Sequence, residues 1–175
     1  MFDFFGLCSA LACSPIPSVA AITGHSPAGG AVLAIFCDYR IMATGPYKIG
    51  LNEVQVGLSV PECIQIALRR LVGIYQAERL VIAGTLLTGE QAHALGLVDE
   101  LAEPEQAVPQ ALAWLNSLLN LPTQAMTATR RLARADLIDA FANPATLPID
   151  DFVEAWYGEE SQTVLKALVA KLKNK

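Results

Sequence analysis

Few residues of this 175-residue chain have the type and spacing to do chemistry, and two features lead. Glu53 lies in GLNEVQVG, residues 50–57, and a glycine pair, Gly29 and Gly30, closes GHSPAGG, residues 24–30. A glutamate partly withdrawn from water has its pKa raised toward roughly 6 to 7, which suits it to taking and returning protons. Glycines at a helix mouth let a backbone N–H point at a developing anion, with the helix dipole assisting. Each feature also has a plainer reading. An isolated glutamate between glycines is more often a solvated or paired loop carboxylate. A glycine pair often serves only tight strand-to-helix packing.

The neighbouring candidates are weaker. Asn52 and Gln55 fit the satisfaction of loop amides better than the orientation of a carboxylate. His25 reads as structural, and Ser26 has no histidine and acid at a spacing that would make it a nucleophile. Cys8, Cys13, Cys37 and Cys63 form no C-x-x-C pair and only two histidines accompany them, so reduced thiols in a cytosolic setting and no metal are expected. Arg69, Arg70, Lys166, Lys171, Lys173 and Lys175 offer cations to phosphates, though solvated helix faces account for most of them. Phe141, Phe152, Trp156 and Tyr157 fit packing first and closure over an apolar tail second.

Composition narrows the classes. Hydrophobic residues make up 53% and charged residues 17%, which suits one compact unit and leaves apolar surface for a partner. A net charge of -5 opposes attraction to phosphate backbones, so nucleic acid is excluded as a ligand. Residues 2–13 are apolar and end in ALAC, like a lipoprotein signal. Asp3 and the lack of a leading Lys or Arg oppose that reading, and the stretch is too short to span a bilayer, so no membrane role is expected.

The elements that must position these residues follow from period and punctuation. Apolar residues at Phe2, Phe5, Cys8, Leu11 and Ala12 predict a first helix, stopped by Pro15 and Pro17. Residues 18–23 predict a buried strand, 24–30 a turn, 31–37 a buried helix, 39–43 a strand and 47–50 a shorter one. Helices are expected over 61–72, 75–83, 88–95, 104–119, 123–135 and 161–173, with Gly73, Gly84 and Gly96 as C-caps. Thr88 and Gln91 match a capping box, residues 97–101 a short strand, and 143–148 a linker. The class is α/β at the front and helical at the back, divided near residues 1–103 and 104–175.

Three blocks in this order, IPSVAAITGHSPAGG at 16–30, CDYR at 37–40 and IGLNEVQVG at 49–57, resemble the enoyl-CoA hydratase/isomerase, or crotonase, family. AERL at 77–80, LTGEQA at 87–92 and ALGLVDE at 94–100 extend the likeness. The resemblance implies a partial ClpP/crotonase-like spiral of strand-strand-helix repeats with a helical carboxyl-terminal region that builds homotrimers or hexamers. It also implies an acyl-CoA thioester substrate whose oxygen is held by two backbone N–H groups, coenzyme A being part of the substrate and no separate cofactor being needed.

Aligned on the motif, Gly29 is the implied donor and Glu53 the implied base, with Pro27, Ala28, Gly30 and Val32 around the substrate. Removing one such donor typically costs about 3 kcal/mol of transition-state stabilisation. Hydratases of the family carry a second glutamate where this chain has Val32, which cannot hold water. That departure favours double-bond isomerisation, with hydration or a non-catalytic assembly subunit as alternatives. The resemblance further implies preceding repeats that supply the other amide and much of the adenine pocket, which makes an amino-terminal part appear missing and the chain alone weakly active.

Overall fold

The computed structural model describes residues 2–142 and 149–173. Helix α1 (Phe2–Cys13) buries Phe5, Cys8 and Ala12, the face its period assigned to the core, and packs on α2 and α8. Strand β1 (Val19–Ile22), strand β2 (Ser26–Pro27) and helix α2 (Gly29–Phe36) form one strand-strand-helix unit. Strands β3 (Tyr39–Ala43) and β4 (Lys48–Gly50) begin the next, followed by a 3-10 turn (Glu53–Val56) and helices α3 (Glu62–Val72) and α4 (Ile74–Ala83). Strand β5 (Leu87–Thr88), helix α5 (Gly89–Ala94) and strand β6 (Glu100–Ala102) complete the α/β part.

Strands β1 to β4 alternate between two three-stranded sheets, as the spiral requires; β5 then pairs beside β4 and β6 returns to the first sheet. One sheet runs β1-β3-β6, all parallel, with Val19 opposite Tyr39 and Ile41 opposite Glu100. The other runs β2-β4-β5, with β2 parallel and β5 antiparallel to β4. β3 is apolar at nearly every position because it is buried on both faces, as parallel strands are. Arg40 is its exception, and Asp99 holds the guanidinium at 2.6 Å while accepting from the Arg40 backbone N–H.

Helices α6 (Ala107–Leu119), α7 (Thr123–Ala133), α8 (Ala135–Ala142), α9 (Ile149–Tyr157) and α10 (Glu159–Lys173) form the helical back. α6 lies on β1 and β3, where Trp114 stacks on Tyr39 with ring centroids 4.8 Å apart. α8 packs on α1 and α3, so the largest apolar cluster runs from Phe5 through Phe36 and Leu68 to Leu137 and Ala140. Asp38 fastens α7 and α8 to the front: it accepts from Arg130 at 2.8 Å and Arg134 at 3.1 Å, while Arg134 also donates to the Phe36 carbonyl.

Several expectations need correction. The turn at 24–30 contains β2, a two-residue pairing too short for any run to signal. The helix expected over 123–135 ends at Ala133, where Arg134 turns in toward Asp38 and Phe36, and a further helix, α8, follows where none was expected. Only Glu100–Ala102 pairs as a strand; Leu97 and Val98 are buried without ladder bonds because they close the α5 turn. Arg69 is paired with Glu62 at 2.7 Å and Arg70 with Asp136 at 2.5 Å, so both are engaged within the chain. The linker expected at 143–148 and Lys175 lie outside the described residues. The capping box of Thr88 and Gln91 is present, Gly73 and Gly84 cap α3 and α4, and Gly96 takes a left-handed φ of 78° just past α5.

Candidate active site

The site begins at Gly50, where an added Cβ would meet the Thr85 carbonyl oxygen at 2.3 Å, so β4 can pass that close only without a side chain. The chain then turns into the 3-10 segment with Glu53 as its first residue. Gly57 ends that segment in a left-handed conformation with φ of 74°, and the Leu58 N–H donates to the Glu53 carbonyl. Gln55 donates to the Gly84 carbonyl at 2.9 Å, tying the turn to α4 and giving Gln55 the loop role expected of it. These constraints hold Glu53 in one place, only 7% exposed.

Across from this turn is the mouth of α2. The Ala28 N–H donates to the Gly50 carbonyl at 2.8 Å, coupling the two segments directly. Ala28 itself takes φ 47°, ψ -119°, the one non-glycine with positive φ among the described residues. Such a conformation costs of order 1–3 kcal/mol and concentrates where backbone orientation serves function. Gly29, the first helical residue, has an N–H with no carbonyl one turn back to accept it.

A cavity of about 610 Å³ joins the two segments. Pro27, Ala28, Gly29 and Val32 line it from the α2 side, and Asn52 and Glu53 from the turn. Gly30 is not among its lining residues. It lies on a separate cavity with β1 and Leu33, and a Cβ there would meet Ser26 Oγ at 2.7 Å, so its glycine identity serves the approach of β2 to α2. Val32 is 1% exposed and offers the cavity an apolar wall.

Electrostatically the cavity is one carboxylate in an apolar shell. Burial pushes the Glu53 pKa up, and hydrogen bonding by its own backbone offsets this in part. Glu53 Oε2 and Asn52 Oδ1 are both buried without a hydrogen-bond partner. Buried acceptors left open are rare in folded chains and call for a reason, and a ligand hydrogen is a sufficient one.

Other sequence candidates fall elsewhere. His25 Nδ1 accepts from the Lys48 N–H at 3.2 Å and its ring meets Tyr47 edge-on, a structural role. Phe141 packs on Phe36, and Tyr157 is exposed. Phe152 and Trp156 do line the cavity, with Leu165 and Leu168 of α10 and with Phe4 and Phe5 of α1. The α1 pair was not singled out from the sequence: helical spacing marks Phe5 as buried but carries no sign of what it is buried against.

The sequence pattern of the enoyl-CoA hydratase/isomerase family matches residues 2–175. The mouse protein named mitochondrial enoyl-CoA delta isomerase 1 is 34% identical over 158 residues, 90% of this chain and 55% of its own length. A probable enoyl-CoA hydratase of Mycobacterium avium is 38% identical over 122 residues, 69% of this chain and 47% of its own length. The chain thus spans about half the length of the curated relatives it matches. The crystal structure of human mitochondrial Δ3,Δ2-enoyl-CoA isomerase superposes with a TM-score of 0.88 at 31% identity, covering 95% of this chain and 65% of that one. Among the described residues no helix is long and apolar enough to cross a membrane. The chain belongs to the enoyl-CoA hydratase/isomerase family.

Proposed function

We propose that the chain carries the base half of an enoyl-CoA isomerase site, shifting a double bond from the 3,4 to the 2,3 position of an acyl-CoA thioester. The observation that carries this reading is Glu53: a single buried carboxylate with an open oxygen, sharing a cavity with the free first-turn N–H end of α2. In the proposed reaction the Glu53 carboxylate takes a proton from C2, and the C2 electron pair delocalises through the thioester carbonyl and the C3–C4 double bond. The thioester oxygen then bears the negative charge, which the Gly29 N–H and the α2 dipole stabilise. The Glu53 carboxyl returns the same proton to C4, leaving the double bond between C2 and C3 and the base ionised again.

Val32 supports isomerisation over hydration, since adding water requires a second group to hold and activate it and a valine methyl does neither. The likeness to a probable hydratase keeps hydration as the second reading. The chain is further proposed to act as a homotrimer or hexamer in the cytosol, a reducing setting that its four free cysteines suit.

Presenting a 3-enoyl-CoA and a 2-enoyl-CoA side by side separates the readings. Loss of the 3-enoyl compound to its 2-enoyl isomer, with no 3-hydroxyacyl product, supports isomerisation. A 3-hydroxyacyl product from the 2-enoyl compound supports hydration. No thioester binding, with a defined oligomer in sedimentation, supports an assembly role.

A further inference from the structure

Away from Glu53, a cavity of about 320 Å³ opens where the end of α1 meets α7 and α8. Its volume lies at the lower end of the range that holds small ligands, about 300–1,000 Å³. Arg130, Arg131 and Arg134 line it together with Cys13, and no carboxylate does. Three cations gathered in one hollow run against the net charge of -5 of the whole chain. Asp38 is the one acid paired with them, so one negative charge answers three positive ones. Arg130 is saturated: its Nε and Nη2 donate to Asp38 at 2.8 and 2.9 Å, and its Nη1 to the Ser14 carbonyl. Arg134 is 7% exposed, yet its Nε–H is buried with no acceptor. Arg131 is exposed and makes no hydrogen bond or ion pair among the described residues. An open buried donor beside an unpaired guanidinium is the arrangement that receives a carboxylate.

Cys13 is the exposed cysteine. Cys8 and Cys63 are fully buried, and burial pushes their thiols up to about 12 and about 11. Cys37 is half-buried and donates to the Leu33 carbonyl at 3.6 Å. We propose that the cavity is a modification site, at which Cys13 forms a mixed disulfide with an anionic thiol compound of the glutathione type. Arg131 and the Arg134 Nε–H receive its carboxylates, while Arg130, its donors taken, contributes charge alone. In the step itself the Cys13 thiolate attacks one sulfur of oxidised glutathione, the new S–S bond forms as the old one breaks, and the other half leaves as glutathione thiolate. Cys13 is oxidised, the departing sulfur is reduced, and the proton of the Cys13 thiol passes to water. The site is independent of the chemistry proposed for Glu53.

Two disulfides of opposite charge test the site on the full chain: oxidised glutathione, which is anionic, and cystamine, a dication. Peptide mass mapping after brief exposure to oxidised glutathione is expected to find one adduct, on Cys13, which dithiothreitol removes. Arg131→Ala, at an exposed position, is expected to slow that reaction about fivefold or more while leaving the cystamine reaction as fast or faster. Raised salt slows the glutathione reaction alone. The cystamine rate reports whether Cys13 is still accessible in the variant, so a change in folding is told apart from a loss of recognition. An adduct mainly on Cys37, or none on Cys13, overturns the proposal. So does a glutathione rate at Cys13 that Arg131→Ala and salt leave unchanged, which makes Cys13 an exposed thiol and nothing more.

Discussion

Glu53 loses water on folding and gains no partner for Oε2, and both its proposed reactivity and its cost to stability come from that trade. Its pKa is raised in the folded state, so the folded chain holds the proton more tightly than the unfolded chain. Unfolding free energy therefore falls as pH rises from the ordinary carboxylate range through the raised value. Activity runs the opposite way, because the base must be ionised to take the C2 proton. We predict an isomerisation rate that climbs with pH with its midpoint above the ordinary glutamate range, measured as kcat against pH. The place of Val32 beside the site was legible because the adjacent glycines fix it in the motif, and it lines the cavity with Glu53. The burial of Glu53 was not legible, since it depends on α10 returning over a turn more than one hundred residues earlier in the chain.

At the scale of elements, two short segments orient the site. Ala28 is strained, and Ala28→Gly relieves a positive φ that alanine adopts poorly; we predict a gain of about 1 kcal/mol in chemical denaturation. Gly57 is a different case, because both its φ of 74° and the contact with Ser161 forbid a side chain. Gly57→Ala is expected to push α10 off the turn, costing about 2 kcal/mol or more of stability. Its signature is a thioester affinity that weakens along with the stability. Most helices and the longer strands were readable from period and punctuation, but α8 and α9 lie outside the spans expected to be helical. β2 was not, because two residues with a proline carry no period, and the α7–α8 break was not, because only a partner distant in sequence, Asp38, draws Arg134 inward.

The whole molecule is a spiral front clamped to a helical back. Asp38 is the clamp: it neutralises Arg130 and Arg134, whose side chains are almost fully buried. Desolvation lowers the Arg134 pKa and Asp38 opposes that shift. Removing the acid leaves buried cations unpaired, a change that costs about 3–5 kcal/mol. We predict that Asp38→Ala loses stability on this scale by urea denaturation, whereas surface-paired Asp136→Ala loses about 1 kcal/mol or less.

All of these effects converge on whether one carboxylate moves the proton. The most direct measurement is the rate at which a 3-enoyl-CoA becomes its 2-enoyl isomer, compared between the unaltered chain and Glu53→Gln at neutral pH. The amide keeps the shape, removes the buried charge and cannot act as the base. We predict a fall of about 10²–10⁴-fold in rate, in a variant that unfolds at no lower denaturant concentration. An unchanged rate in Glu53→Gln would contradict it.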